Sequence, residues 1–363
     1  MPNTEYDLTK AFEAIEEELI SSMIRNMKRH FLHLTKQHHK FDEIDEKKRW
    51  TMWQAEQLKS LEQYKHGNQR KFHKGFMDIN GQIEALIRTS HADGAMNQEA
   101  YILNAIKKGF PAKRIIKGGT AEFFRLNDRK LNALVKATIH DISKAEISVL
   151  RQANDQYRKI IYNAQVYANT GAGTYDKAVD MATKDFLSAG INSVTYSNGA
   201  RHTLPDYTRM AIRTASKRTY LQGEGMKRQE WGVHTVIVNK RGNPCPLCLP
   251  FVGKVFIDDM WSGGSAKDGP YPLLSTAISA GLYHPNCKDS HTTYFPDIST
   301  PPDNGYSKKD IKKIEQNEKK EAREQYVDRQ INKYERLSRF SLDQENKEKY
   351  QAKVQQWKKE REI

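Results

Sequence analysis

The chain has only three cysteines in 363 residues, and their placement constrains the fold more than any other feature. Cys245 and Cys248 stand in "NPCPLCLPFVGKVF" and Cys287 in "GLYHPNCKDSH"; with His284 and His291 they write C-x2-C-x35-H-x2-C-x3-H. Two intervening residues let both thiols of one turn reach the same ion, and a second knuckle farther along can complete a tetrahedron. Five side chains compete for four positions. Three Cys with one His make a closed structural zinc site, whose effect is to fold a small module rather than to catalyse. The bland alternative is that these are small buried residues and loop histidines packed around two proline-rich turns.

Catalytic readings of the same residues are weaker. "PCPLC" matches half of a zinc deaminase signature, but that chemistry needs an upstream H-x-E whose glutamate carries protons, and none of the twelve histidines has Glu two residues later. A Cys287 nucleophile would need His284 or His291 as base and an orienting group such as Asp289, all from one short loop, whereas catalytic Cys and His come from separate elements. "KGGT" (117–120) and "SGGS" (262–265) lack the G-x4-G-K-[ST] spacing that wraps phosphates and read as turns.

An odd, small number of cysteines argues against a disulfide framework and for reduced or metal-bound thiols. No run of eighteen apolar residues occurs, and "MPNTEYDLTKAFEAIEEELI" lacks the layout of a secretory signal, so the protein is expected to be made and kept inside a cell. With 37% apolar and 29% charged residues, much of the chain should be solvated helix or partner-binding surface. The formal net charge is +14, unevenly spread. Residues 1–120 hold 20 basic and 16 acidic side chains, and 301–363 hold 17 and 13. The clearest bias is in 200–241, where nine basic residues (Arg201, Arg209, Arg213, Lys217, Arg218, Lys227, Arg228, Lys240, Arg241) meet three acidic ones. Such a stretch can face phosphates or an acidic protein surface, or be a solvated helix face.

Periodicity predicts a mostly helical α+β chain. Leu8, Phe12, Ile15, Leu19, Met23, Met27 and Phe31 form one apolar stripe, with Thr4 as N-cap three residues before Asp7. Helix is expected to continue to about Phe76 and to give way to a loop at "RTSHADGAMNQ" (88–98), so that residues 1–144 read as a helical arm or bundle. Ile147, Leu150, Tyr157, Ile161, Ala164 and Tyr167 mark a further helix that "NTGAGTYD" breaks, and Ala178 to Phe186 another that Gly190 closes. "INSVTYSNG" reads as strand and turn, and Pro205 suits the first turn of a helix to about Glu230. "VHTVIVNKRGNP" and "KVFI" read as strands of a small mixed module over 231–298, with "WSGGSAKDGPYP" a loop. After the linker "PDISTPPDNGYS" the charged chain 301–363 reads as helix, with Ser341 and Gln344 as a capping box.

"NPCPLCLPFVGKVFIDD" followed by "GPYPLLSTAISAGLYHPNCKDSHTTYFP" resembles the phage minor capsid protein 2 family, relatives of the phage Mu F-like head-morphogenesis proteins. The upstream run "VTYSNGARHTLPDYTRMAIRTASKRTYLQGEGMKRQEWGVHTV" and the helical tail are similar as well, so the resemblance covers about 145 to 363 and assigns 145–300 to the family's module. Gly253 and Lys254 match its Gly-Lys before a short strand, Asn286 and Cys287 its Asn-Cys, and His291 falls in the polar cluster that follows.

The resemblance implies a structural role: a low-copy virion component of a tailed bacteriophage, inside the head near the portal, acting in head assembly or DNA delivery, with no enzymatic activity in the module itself. Its partners would then be portal and major capsid or scaffold proteins, with the basic stretch touching packaged DNA. Two other readings stay open from the residues. One is a zinc-dependent hydrolase or nuclease, which needs an open coordination position beside a carboxylate base, Asp258 or Asp289. The other is a cellular nucleic-acid-binding protein with a zinc knuckle.

Overall fold

The computed structural model describes residues 4–38, 46–112, 121–169, 174–240, 244–300 and 306–362. It shows the expected mostly helical α+β chain. The helices are α1 (Glu5–His38), α2 (Glu46–Lys107), α3 (Ala121–Asn169), α4 (Tyr175–Ala189), α5 (Leu204–Glu230), α6 (Leu274–Ser279), α7 (Lys308–Phe340) and α8 (Gln344–Arg361). Strands β1 (Asn192–Thr195) and β2 (Arg201–Thr203) pair antiparallel. Strands β3 (Thr235–Val238), β4 (Val255–Ile257) and β5 (His291–Thr293) form an antiparallel sheet of order β4-β3-β5. Arg241 and "KGGT" lie outside the described residues. No described helix is long and apolar enough to cross a membrane.

The chain divides into two compact units, each drawn from three stretches. One comprises Thr9–Ile79, Ser143–Thr208 and Glu321–Ile363. Its core follows the predicted α1 stripe: Phe12, Leu19, Met23 and Met27 are fully buried, and Phe12 stacks on Phe76 at 6.3 Å between ring centres. Each such side chain contributes on the order of 1.5–3 kcal/mol by leaving water. Ile147, placed on the α3 stripe by its period, points outward at 68% exposure; Val149 takes the buried position. A polar cluster in this core is paired: Tyr157 donates to Gln57 Oε1 at 2.6 Å and accepts from Asn26 Nδ2 at 2.8 Å.

Gly190 closes α4 as predicted, its N–H bonding Phe186 O with φ at 73°. A Cβ there would lie 2.5 Å from Glu16 Oε1, so only glycine lets that carboxyl in. Glu16 in turn accepts from the Ile191 N–H at 2.8 Å. Ser341 does not cap α8. Asp343 does, accepting from Asn346 N at 3.0 Å, because the Ser341 hydroxyl is taken by the Asp180 carboxylate. Asp180 also accepts from Leu342 N at 2.8 Å and Asp343 N at 3.2 Å, so one buried acid ties the whole α7–α8 turn.

The other unit comprises Met1–Leu8, Asn80–Ile142 and Arg209–Lys320 and contains the three-stranded sheet. Thr4 caps α1 as predicted, its hydroxyl accepting from Asp7 N at 3.3 Å while Asp7 accepts from Thr4 N at 2.9 Å. The loop expected at 88–98 is instead continuous α2. Gly94 is there for close approach rather than for a turn: a Cβ would fall 2.2 Å from the Tyr220 carbonyl oxygen on α5. Gly223 makes the reciprocal fit, 2.0 Å from His91 O, and Gly225 seats Trp261. All four residues of β3 are buried, as a central strand covered on both faces requires.

Candidate metal centre

Two turns of this second unit bring the thiols together. In the first, Leu249 N bonds Cys245 O at 2.9 Å and Cys248 N bonds the same carbonyl at 3.0 Å, a tight turn that runs into a short 3-10 helix, Leu249–Phe251. Gly253 and Lys254 then start the way into β4: Gly253 N bonds Val238 O at 2.8 Å and Val238 N bonds Lys254 O at 3.1 Å. The second turn follows α6, with Cys287 N bonding His284 O at 3.0 Å. Asn286 adopts a left-handed conformation (φ 65°), which its short polar side chain tolerates. Its N–H donates to Thr214 Oγ1 at 3.0 Å, and its Oδ1 accepts from Arg213 at 2.9 Å, fixing this turn to α5.

Cys245 Sγ lies 3.1 Å from His284 Nε2, and Cys248 Sγ lies 3.4 Å from Cys287 Sγ. The sulfurs are separate thiols, far beyond the ~2.05 Å of a disulfide. The donor atoms of Cys245, Cys248 and His284 all lie within 4.8 Å of one another, as do those of Cys248, Cys287 and Asp289. A regular zinc tetrahedron with Zn–S near 2.3 Å has S···S edges of about 3.8 Å; each close pair is about the length of one such edge, and the donors form two triads that share Cys248 rather than one closed set of four. His284 Nδ1 sits 2.9 Å from Pro285 O, an atom that can only accept. Nδ1 therefore carries the proton and the Nε2 lone pair faces Cys245, the orientation a metal-binding imidazole needs. Backbone N–H groups of Cys248 and Asp289 point at Cys245 Sγ (3.3 Å) and Cys287 Sγ (3.4 Å), where they would stabilise thiolates.

Burial raises the Cys287 thiol above its usual pKa and raises Cys248 much further. Without a cation these two sulfurs stay protonated. A cation would have to displace those protons, which ties its affinity to pH. The cluster can hold a metal, and a soft, thiol-rich donor set favours zinc over calcium or magnesium.

His291, weighed as a fifth ligand, is not at this site. Its pairing with Val238 on β5 turns it into the core, where it is 2% exposed. Its Nε2 faces the Arg228 guanidinium at 3.0 Å and its Nδ1 the Tyr283 hydroxyl at 2.8 Å. Arg228 can only donate, so Nδ1 of the neutral ring bears the hydrogen. Burial, then the cations of Arg228 and Lys217, hold the imidazole well below its ordinary pKa.

Arg228, expected on an outward basic face, has no exposure and cannot reach a phosphate. It pairs with the equally buried Asp258 at 2.9 Å, and Glu224 lies 3.6 Å away. Burial raises Glu224 from 4.5 to about 7 against the pull of Arg228. Asp258 also accepts from Trp261 N at 2.9 Å, so this carboxylate, weighed as a hydrolytic base, is committed to holding structure. Nothing in the sequence marked this buried ionic network except the i,i+4 spacing of Glu224 and Arg228.

The remaining basic candidates divide by environment. Arg201 is exposed on β2. Arg213 pairs with Glu5 at 2.7 Å, and Lys227 with Glu99 and Glu230 at 3.0 Å each. Lys240 lies over the Tyr306 ring at 5.0 Å. Lys217 and Arg218 line a cleft beside the metal cluster.

The family model described as phage minor capsid protein 2 matches residues 4–362, extending the resemblance seen in the sequence through α1, α2 and the first half of α3. No curated protein and no solved structure matches the chain. With the match running over nearly its whole length, the chain belongs to the phage minor capsid protein 2 family.

Proposed function

We propose that this minor capsid protein works inside the phage head, close to the portal, as a binding component of head assembly or DNA delivery. The family match over 4–362 supports the reading, because it spans the N-terminal helices and the charged tail as well as the 145–300 module. Its partners are portal and major capsid or scaffold subunits, and Lys217 and Arg218 on α5 contact packaged DNA. Co-sedimentation of the purified protein with portal rings or procapsids is the expected result. Failure to co-sediment with either overturns the portal-proximal role.

Within that role the metal cluster is structural. Cys245, Cys248, His284 and Cys287 would hold one zinc ion, which would supply four bonds joining the turn before β4 to the turn before β5. A filled set of four protein ligands leaves no position for a water nucleophile. Elemental analysis should find about one zinc per chain in the parent and a loss of it in Cys287→Ser. Absence of metal from the parent overturns the clip and leaves only packing.

A further inference from the structure

The basic residues of 200–241 do not act as one face, and most have protein partners. Two of them converge elsewhere. Lys217 and Arg218, on successive positions of α5, stand with Lys130 of α3 around a cleft of about 410 Å³. Trp261 and Tyr283 form its aromatic side, and Thr214 and Gln222 offer further hydrogen-bonding groups. None of the residues lining it carries a carboxylate. His284 and Cys287 close one end, so the cleft abuts the metal cluster. A zinc held by three thiolates and one imidazole would carry a single negative charge, and three cations leave the surroundings positive. Thiolates would repel a carboxylate or phosphate only at that end.

We propose that this cleft binds a phosphodiester of a nucleic-acid backbone, with Lys130, Lys217 and Arg218 neutralising it and Trp261 offering a ring face to an adjoining base. Three converging cations without a carboxylate suit a fully ionised, compact anion. The flat aromatic wall adds stacking available to any base and unavailable to an acidic peptide. The inference rests on the DNA-contact part of the proposed function and places that contact at one site.

The test is fluorescence anisotropy with short labelled DNA, one arm duplex and one arm single-stranded, across a salt series. The parent is compared with Lys130→Gln/Lys217→Gln/Arg218→Gln and with a tail control of equal charge change, Lys312→Gln/Lys313→Gln/Lys319→Gln. Affinity should fall at least about tenfold in the cleft variant, and the slope of log Kd against log salt by about 0.7 to 0.9, the amount that one lost phosphate contact removes. The control should bind like the parent. The arm with the larger effect identifies whether the phosphodiester comes from unpaired or duplex DNA. Zinc content and thermal melting of the cleft variant check that it is folded. If it misfolds, competition takes its place: polyglutamate of matched charge should fail to displace DNA from the parent. Equal losses in the cleft and tail variants, or displacement by polyglutamate, overturn the cleft while leaving DNA contact intact; no DNA binding by the parent overturns both.

Discussion

Spacing in the chain told which thiols would meet, because C-x2-C and H-x2-C are each one turn and a turn brings its own members together. It could not tell which histidine joins them, since that depends on strand register: one residue's slip on β5 would turn His291 to the other face. Arg228 was illegible for a related reason. Its charge suggested solvent, while its place on α5 beside Glu224 turns it toward Asp258. Asp258→Asn should therefore destabilise the protein by about 3–5 kcal/mol, because the guanidinium stays buried without its counter-charge. Urea unfolding measures this, and a change under about 1 kcal/mol would contradict the buried pairing. Glu16 makes a pH prediction. Burial raises its carboxyl from 4.5 to about 7, against a lowering by Arg336. The unfolded chain thus loses its proton first, and stability should fall as pH rises through that interval. A displacement of that size corresponds to at most about 3 kcal/mol. Glu16→Gln should flatten this dependence in urea melts at acidic and alkaline pH; identical slopes in parent and variant would refute it.

At the scale of elements, amphipathic period and caps located most helices. Thr4, Gly190 and Pro205 each acted where the chain suggested. The failures came where a residue type has two uses. Gly94 within "HADGAM" signals a turn locally, but its actual partner is the Tyr220 backbone, which lies far along the chain. Gly94→Ala should consequently cost more than about 2 kcal/mol, since a backbone carbonyl cannot move aside as a flexible side chain can. Gly67, also inside α2 but with nothing within 4 Å of its would-be Cβ, should gain about 0.5–1 kcal/mol on replacement by Ala. Thermal melts of the two single variants decide it, and shifts of the same sign would contradict the helix crossing. Ser341 was misread because a buried acid on α4, Asp180, claims its hydroxyl, and only the folded unit brings α4 to that turn.

For the whole molecule, the low apolar content and high charge indicated extended helical surface, and the chain's long helices and charged α7–α8 hairpin agree. What composition could not indicate is that each compact unit gathers three separated stretches, since that depends on where long helices pass from one core to the next. The module resemblance was legible at 231–295 because turns, glycines and thiols there are tied to specific backbone geometry. The N-terminal helices carry only a periodic pattern that many sequences satisfy, and the family model reaches through them to residue 4. Above all, family membership leads to the expectation that this chain is a low-copy structural constituent of the phage head. Quantitative mass spectrometry of purified, DNA-filled particles tests it most directly. Peptides from both compact units are expected at a copy number well below that of the major capsid subunit and comparable to the portal. Absence of the chain from those particles, with the portal readily detected, would contradict it.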